Sequence, residues 1–210
     1  MKLTIDEPKT LRDQTVRKAR LAAIRETHVA PLTSFVESMR HDRGLKGEIP
    51  YFDPADGGVN ARCLFLLEAP GAKAVESGFI SRNNPDETAK NFFLLNQEVS
   101  LARELTVSWN VVPWYIGQGS SIRPASAADI QEAHPYLEEM LRLLLQLQIV
   151  VLIGRKAQRA AEYIQNAVPQ AIVLEMLHPS PRVVNVHPCN RAIMLSTLRA
   201  AKQILDSRNR

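Results

Sequence analysis

Four short apolar runs punctuate the chain at residues 62–68, 106–113, 148–154 and 171–177, and each stops at a polar or turn-forming cluster. Runs of this length, rich in Val, Ile and Leu and without a polar residue at every second position, suit strands buried on both faces. Segments 86–103, 127–147 and 156–168 between them show apolar residues at helical spacing, and residues 195–205 supply a last amphipathic helix. Strand and helix in alternation predict an α/β protein. The expected form is a three-layer α/β/α arrangement around a central four-stranded parallel sheet. Ahead of the first strand, Leu11, Val16, Ala19, Leu21 and Ile24 are followed by Leu32, Phe35, Val36 and Met39, with Pro31 between the groups. Two basic N-terminal helices are expected there. Residues 49–58, with Pro50, Asp53, Pro54, Asp56 and the Gly57-Gly58 pair, read as turn-rich chain. The reading is a single domain, with a basic helical extension over residues 1–46 and an α/β core over 47–210.

Composition narrows the class. With 210 residues the chain can bury one full core, and 45% hydrophobic with 23% charged residues excludes a disordered or fibrous chain. The longest apolar stretch, 143–153, is broken by Gln146 and Gln148, and the first residues mix Met-Lys with Asp6 and Glu7. Neither a membrane span nor a secretory leader is expected. Cys63 and Cys189 are too few for a disulfide framework or a four-cysteine metal or iron-sulfur site. A reducing, cytoplasmic setting is expected. The net charge of +4 permits a polyanionic partner without requiring one.

The chemistry belongs at one edge, because ligands of an open parallel sheet bind outside the carboxyl ends of the strands. There the first run ends in Glu68-Ala69-Pro70-Gly71 and the second in Asn110-Val111-Val112-Pro113-Trp114. The third ends in Gly154-Arg155 and the fourth in His178-Pro179-Ser180-Pro181-Arg182. A carboxylate, an amide and an imidazole in one ring of loops predict an active site. Each residue type also has a structural use: a strand-end carboxylate caps helices or pairs with lysine, an amide satisfies loop backbone, and a buried imidazole bonds to carbonyls. His28, His41, His134 and His187 lack such surroundings and read as surface or structural residues.

The first, second and fourth of these segments resemble the signature motifs of the uracil-DNA glycosylase superfamily. The acidic first motif is similar to that of the thermostable iron-sulfur branch, and His-Pro-Ser-Pro-Arg resembles the single-strand-selective monofunctional branch. The resemblance runs from about Ile49 to the C-terminus. It implies a DNA-repair enzyme that flips uracil or a related damaged base out of DNA and hydrolyses its N-glycosidic bond, without a metal or other cofactor. No lysine in these motifs stands as a Schiff-base nucleophile, so a monofunctional enzyme is expected, probing DNA as a monomer with no membrane partner.

Role by role, the resemblance implies Glu68 as the anion that stabilises a positively charged sugar and positions water, and His178 as the donor to the pyrimidine O2. It implies Asn110 as the reader of the base edge, with Ala69, Pro70 and Gly71 around the substrate. Phe79, after Ser77-Gly78, matches the place of a stacking ring, and is equally an ordinary core phenylalanine. Asn83, Asn84 and Asp86 behind it either shape the pocket or form a turn. Ser180 and Arg182 would meet DNA, Arg182 as the wedge. Residues 117–126, with Ser120, Ser121 and Arg123, form either a phosphate cradle or a plain connection. This chain departs from the family pattern at Leu67, where the first motif has glycine, and at Gly71, where strict uracil filters place tyrosine. Two other readings stay open: a non-catalytic DNA-binding module with a glycosylase-like pocket, and a nucleoside or nucleotide hydrolase using Glu68 and His178.

Overall fold

The computed structural model describes residues 6–45, 48–119 and 121–208. Cys63–Leu67 (β1), Thr106–Asn110 (β2), Ile149–Ile153 (β3) and Ile172–Met176 (β4) form one parallel sheet in the order β2-β1-β3-β4. All four lie inside the predicted apolar runs. Helices occupy Gln14–Ala23 (α1), Ala30–Arg43 (α2), Ala72–Ser77 (α3), Glu87–Glu98 (α4), Ala127–Leu143 (α5), Arg155–Gln158 (α6), Ala161–Ala167 (α7), Pro181–Val184 (α8) and Pro188–Ser207 (α9). Leu64 pairs with Val107 and Val150, and Leu67 with Asn110.

Alternation along the strands sorts the core into two layers. Leu64, Leu66, Val107, Trp109, Val150 and Leu152 meet α2, α5, α6 and α7 on one face, through residues such as Phe35, Met39, Leu137, Met140, Ala157 and Ile164. Cys63, Phe65, Ile149, Val151 and Ile153 meet α4 and α9 on the other, through Phe92, Leu95, Met194, Leu195 and Leu198. Each such aliphatic or aromatic side chain contributes about 1.5–3 kcal/mol by leaving water. The arrangement is the three-layer α/β/α sandwich expected from the pattern.

Helix ends differ from the sequence reading for local reasons. Helix α4 starts where the Asp86 carboxylate accepts from the Ala89 amide at 2.9 Å. It stops at Glu98, because Ser100 takes a left-handed φ of 52° and turns the chain away. Helix α9 begins seven residues before the apolar pattern does, with Pro188 in its first turn and the His187 side chain as cap. The predicted helix over 156–168 is two helices, α6 and α7.

Of the N-terminal helices, α2 buries Leu32, Phe35, Val36 and Met39 in the main core. Helix α1 buries nothing of its own. It rests on a small cluster of Leu11, Ile24 and Phe79, with Val16 and Tyr51 packed against it. A buried ionic knot ties this region to the sheet. Arg103 donates to Asp53, Asp56 and Asp6 at 2.7 Å each and to Asn83 at 2.6 Å, while Arg20 pairs with Asp53 at 3.2 Å. No helix among the described residues is long and apolar enough to cross a membrane.

Candidate active site

Glu68 stands one residue past β1, half-buried, where the strand gives way to the turn into α3. Its Oε1 accepts from the Ala125 backbone amide at 2.6 Å, and among the described residues Oε2 carries no hydrogen bond. The parallel ladder continues past the strand ends, with Val111 N donating to Leu67 O at 2.8 Å and Val112 N to Glu68 O at 3.0 Å. These bonds fix the neighbouring strand end, and with it Asn110, beside Glu68.

Asn110 alternates with Val107 and Trp109 and therefore turns to the α4 side of the sheet. It is 3% exposed, and its Nδ2 has no hydrogen-bond partner. Ser108 Oγ and Asn96 Oδ1 are unpaired as well. A buried donor left unmade costs about 1–3 kcal/mol, which an acceptor on a ligand would recover.

His178 lies two residues beyond β4 and packs over Gly154, the residue after β3. A Cβ on Gly154 would stand 3.1 Å from His178 Cβ and 3.2 Å from Cδ2, and the backbone there has a φ of +85°. Only glycine meets both conditions comfortably. Burial pushes the His178 imidazole below its ordinary pKa, while the negative fields of Glu68 and Asp86 act in the opposite direction. The ring is neutral at pH 7 and remains a hydrogen-bond donor through one nitrogen. Helix α4 braces this loop, since Asn91 Nδ2 donates to Pro179 O at 2.9 Å. Burial raises the Asp86 carboxyl, against the two amides that it caps.

The other predicted positions divide. Ala69 is half-buried, Pro70 is buried, and Gly71 caps α3 with open space where a side chain would be. Ser180 caps α8 through its backbone, and Arg182 on that helix makes no ion pair among the described residues. Ser121 is exposed in a hairpin that pairs Gly117–Gln118 with Ser121–Ile122. Ser120 lies outside the described residues.

Two further positions are engaged by contacts within the fold. The Phe79 ring is 2% exposed and clusters with Leu11 and Ile24, which matches the core-phenylalanine alternative. Arg123 has an exposed side chain whose guanidinium grips the Asp129 carboxylate at 2.6 and 2.7 Å. Sequence reasoning also left Ala125, Lys156 and the electrostatic reach of Asp86 unassigned. Only Asp86 carried a signal, the capping residue at the start of a helical pattern.

The model of the uracil DNA glycosylase superfamily matches residues 54–200. This chain belongs to that superfamily. The matched stretch of this uracil DNA glycosylase superfamily chain contains Glu68, Asn110, Gly154 and His178, whereas α1 and α2 precede it. No curated protein matches the chain. Among solved structures, the crystal structure of wild-type SMUG2 from Pedobacter heparinus aligns with a TM-score of 0.54 at 13% identity, covering 87% of this chain and 86% of that one. A solution NMR structure of a candidate uracil DNA glycosylase from Methanosarcina acetivorans aligns with a TM-score of 0.47 at 13% identity, covering 69% and 92%. At this identity the first likeness is one of fold.

Proposed function

We propose that the protein removes uracil or a related damaged base from DNA by flipping the nucleotide out and hydrolysing its N-glycosidic bond. It acts as a monofunctional, monomeric enzyme in a reducing intracellular compartment. The observation that carries this reading is the buried, unpaired Asn110 amide at the strand end that pairs with the Glu68 end of β1, together with the charge of Glu68 felt by His178. As the bond between C1′ and the base nitrogen breaks, its electron pair leaves with the base and the sugar becomes cationic. The Glu68 carboxylate, tied to Ala125 by one oxygen, faces that cation and the incoming water with the other. The neutral His178 imidazole donates to the pyrimidine O2 as negative charge gathers there, and Asn110 Nδ2 donates to a carbonyl on the base edge. Water supplies the new bond at C1′, and its proton is taken up by Glu68 or solvent.

The test is alkali treatment of an oligonucleotide carrying one uracil after incubation with the protein. Glu68→Gln is expected to slow base release by about 10²–10⁴-fold. Wild-type release no greater than that of Glu68→Gln rejects the proposal. Salt-sensitive DNA affinity without release would identify a binding module. Turnover of a free nucleoside without DNA affinity would identify a small-molecule hydrolase.

A further inference from the structure

We infer that Lys156 is a positioning residue for the Glu68 carboxylate, acting through the backbone of Ala125. The inference rests on the role given to Glu68 above. Between β2 and α5 the described residues form one pair of two-residue strands, Gly117–Gln118 and Ser121–Ile122, so the amide that holds Glu68 needs its own anchor. Ala125 is 1% exposed and is gripped from both ends: its N–H donates to Glu68 Oε1 at 2.6 Å, and its carbonyl accepts from Lys156 Nζ at 2.9 Å. Pro124 precedes it and offers no N–H to brace the segment. Ser126 follows as the cap of α5, bonded reciprocally to Asp129. The Lys156 bond is charge-assisted and therefore stronger than a neutral one.

The position of Lys156 in the chain gives the contact its consequence. Gly154 seats the His178 ring, and Lys156, two residues later in the first turn of α6, seats the segment that holds Glu68. One tight turn after β3 thus sets both the group facing the sugar and the group facing the base. Removing the ammonium leaves the Ala125 carbonyl buried without its donor and releases the segment, so Glu68 loses a fixed partner while its own strand stays in place.

The test uses the full chain with Lys156→Met and Lys156→Arg. Backbone amide exchange followed by NMR should show Ala125 losing protection by about tenfold or more in Lys156→Met, with β1 and β3 unchanged as a check on folding. Base release should lose about 10- to 100-fold in kcat, as a slight misplacement of a reacting group does, with KM for DNA nearly constant. Lys156→Arg should restore most of both. Unchanged exchange at Ala125 overturns the proposal. So does a loss confined to KM and to salt dependence, which would make Lys156 a phosphate contact. A wild-type protein with no base release would sink the reaction and not the anchor, because exchange at Ala125 is read without substrate.

Discussion

At His178 two influences compete, and both can be measured at a single ring. Burial disfavours the imidazolium and lowers the pKa, whereas Glu68 and Asp86 favour it. An NMR titration should place the midpoint below the free value of about 6.5. Glu68→Gln and Asp86→Asn should each move it further down, because each removes a negative charge that supports protonation. A midpoint indifferent to Glu68→Gln would show that the two groups do not share a site. The sign also fixes a stability effect. The unfolded ring takes up a proton at a higher pH than the folded one, so His178 costs the folded state stability only as pH falls below the unfolded value, and nothing above it. Gly154→Ala tests the seat of the same ring. Its positive φ costs about 1–3 kcal/mol for any other residue, and the added methyl presses on His178. The expected result is a lowered urea midpoint together with a displaced His178 resonance and reduced base release.

The elements show what a linear pattern reveals and what it hides. Three of the four sheet strands were legible because a strand buried on both faces must be apolar along its length, and Ile149–Ile153 is the extreme case. Ile172–Met176, at the sheet edge with only Met176 fully buried, was read from its Ile, Val and Leu run without being buried on both faces. The edge that bears Glu68, Asn110 and His178 followed from the strand direction alone. Phe79 was not legible: it sits in a two-residue strand paired with Tyr51–Phe52, too short for periodicity to say which apolar environment its ring enters. The ionic knot was hidden for another reason. Asp6, Arg20, Asp53, Asp56, Arg82 and Arg103 come from separate stretches of chain, and their pairing exists only once those stretches are packed. Burial raises the Asp53 carboxyl, but Arg103 and Arg20 outweigh it and hold the group below the usual range. At Asp56 burial wins over Arg103 and Arg82, and the pKa is raised. Arg103→Met removes the shared cation and strands two buried carboxylates. A loss of about 3–5 kcal/mol in urea unfolding at pH 7 is expected. A loss under about 1 kcal/mol would show that the knot adds little to the fold.

For the molecule as a whole, the net charge of +4 says less about DNA than the distribution of cations that have no internal partner. Arg25, Lys73, Arg123, Arg142 and Arg191 each pair with a carboxylate. Arg155 on α6, Arg159 just past its end and Arg182 on α8 are all exposed, and none of the three makes an ion pair among the described residues. Arg155 directly follows Gly154 and Arg182 lies four residues past His178, and Gly154 and His178 pack against each other. A phosphate bound by an unpaired arginine releases a counterion, which appears as a slope of log K against log salt of about −0.9 per contact on duplex and about −0.7 on a single strand. Arg155→Ala and Arg182→Ala should therefore each flatten the measured slope by nearly one contact. Arg123→Ala should leave it unchanged, because Asp129 already neutralises that guanidinium in the free protein. Fluorescence anisotropy on a uracil-bearing oligonucleotide, repeated between low and physiological salt for all three variants, separates these outcomes. An Arg123 slope change as large as that of Arg182 would mean that the Asp129 pair opens on DNA, and that the hairpin beside it joins the contact surface.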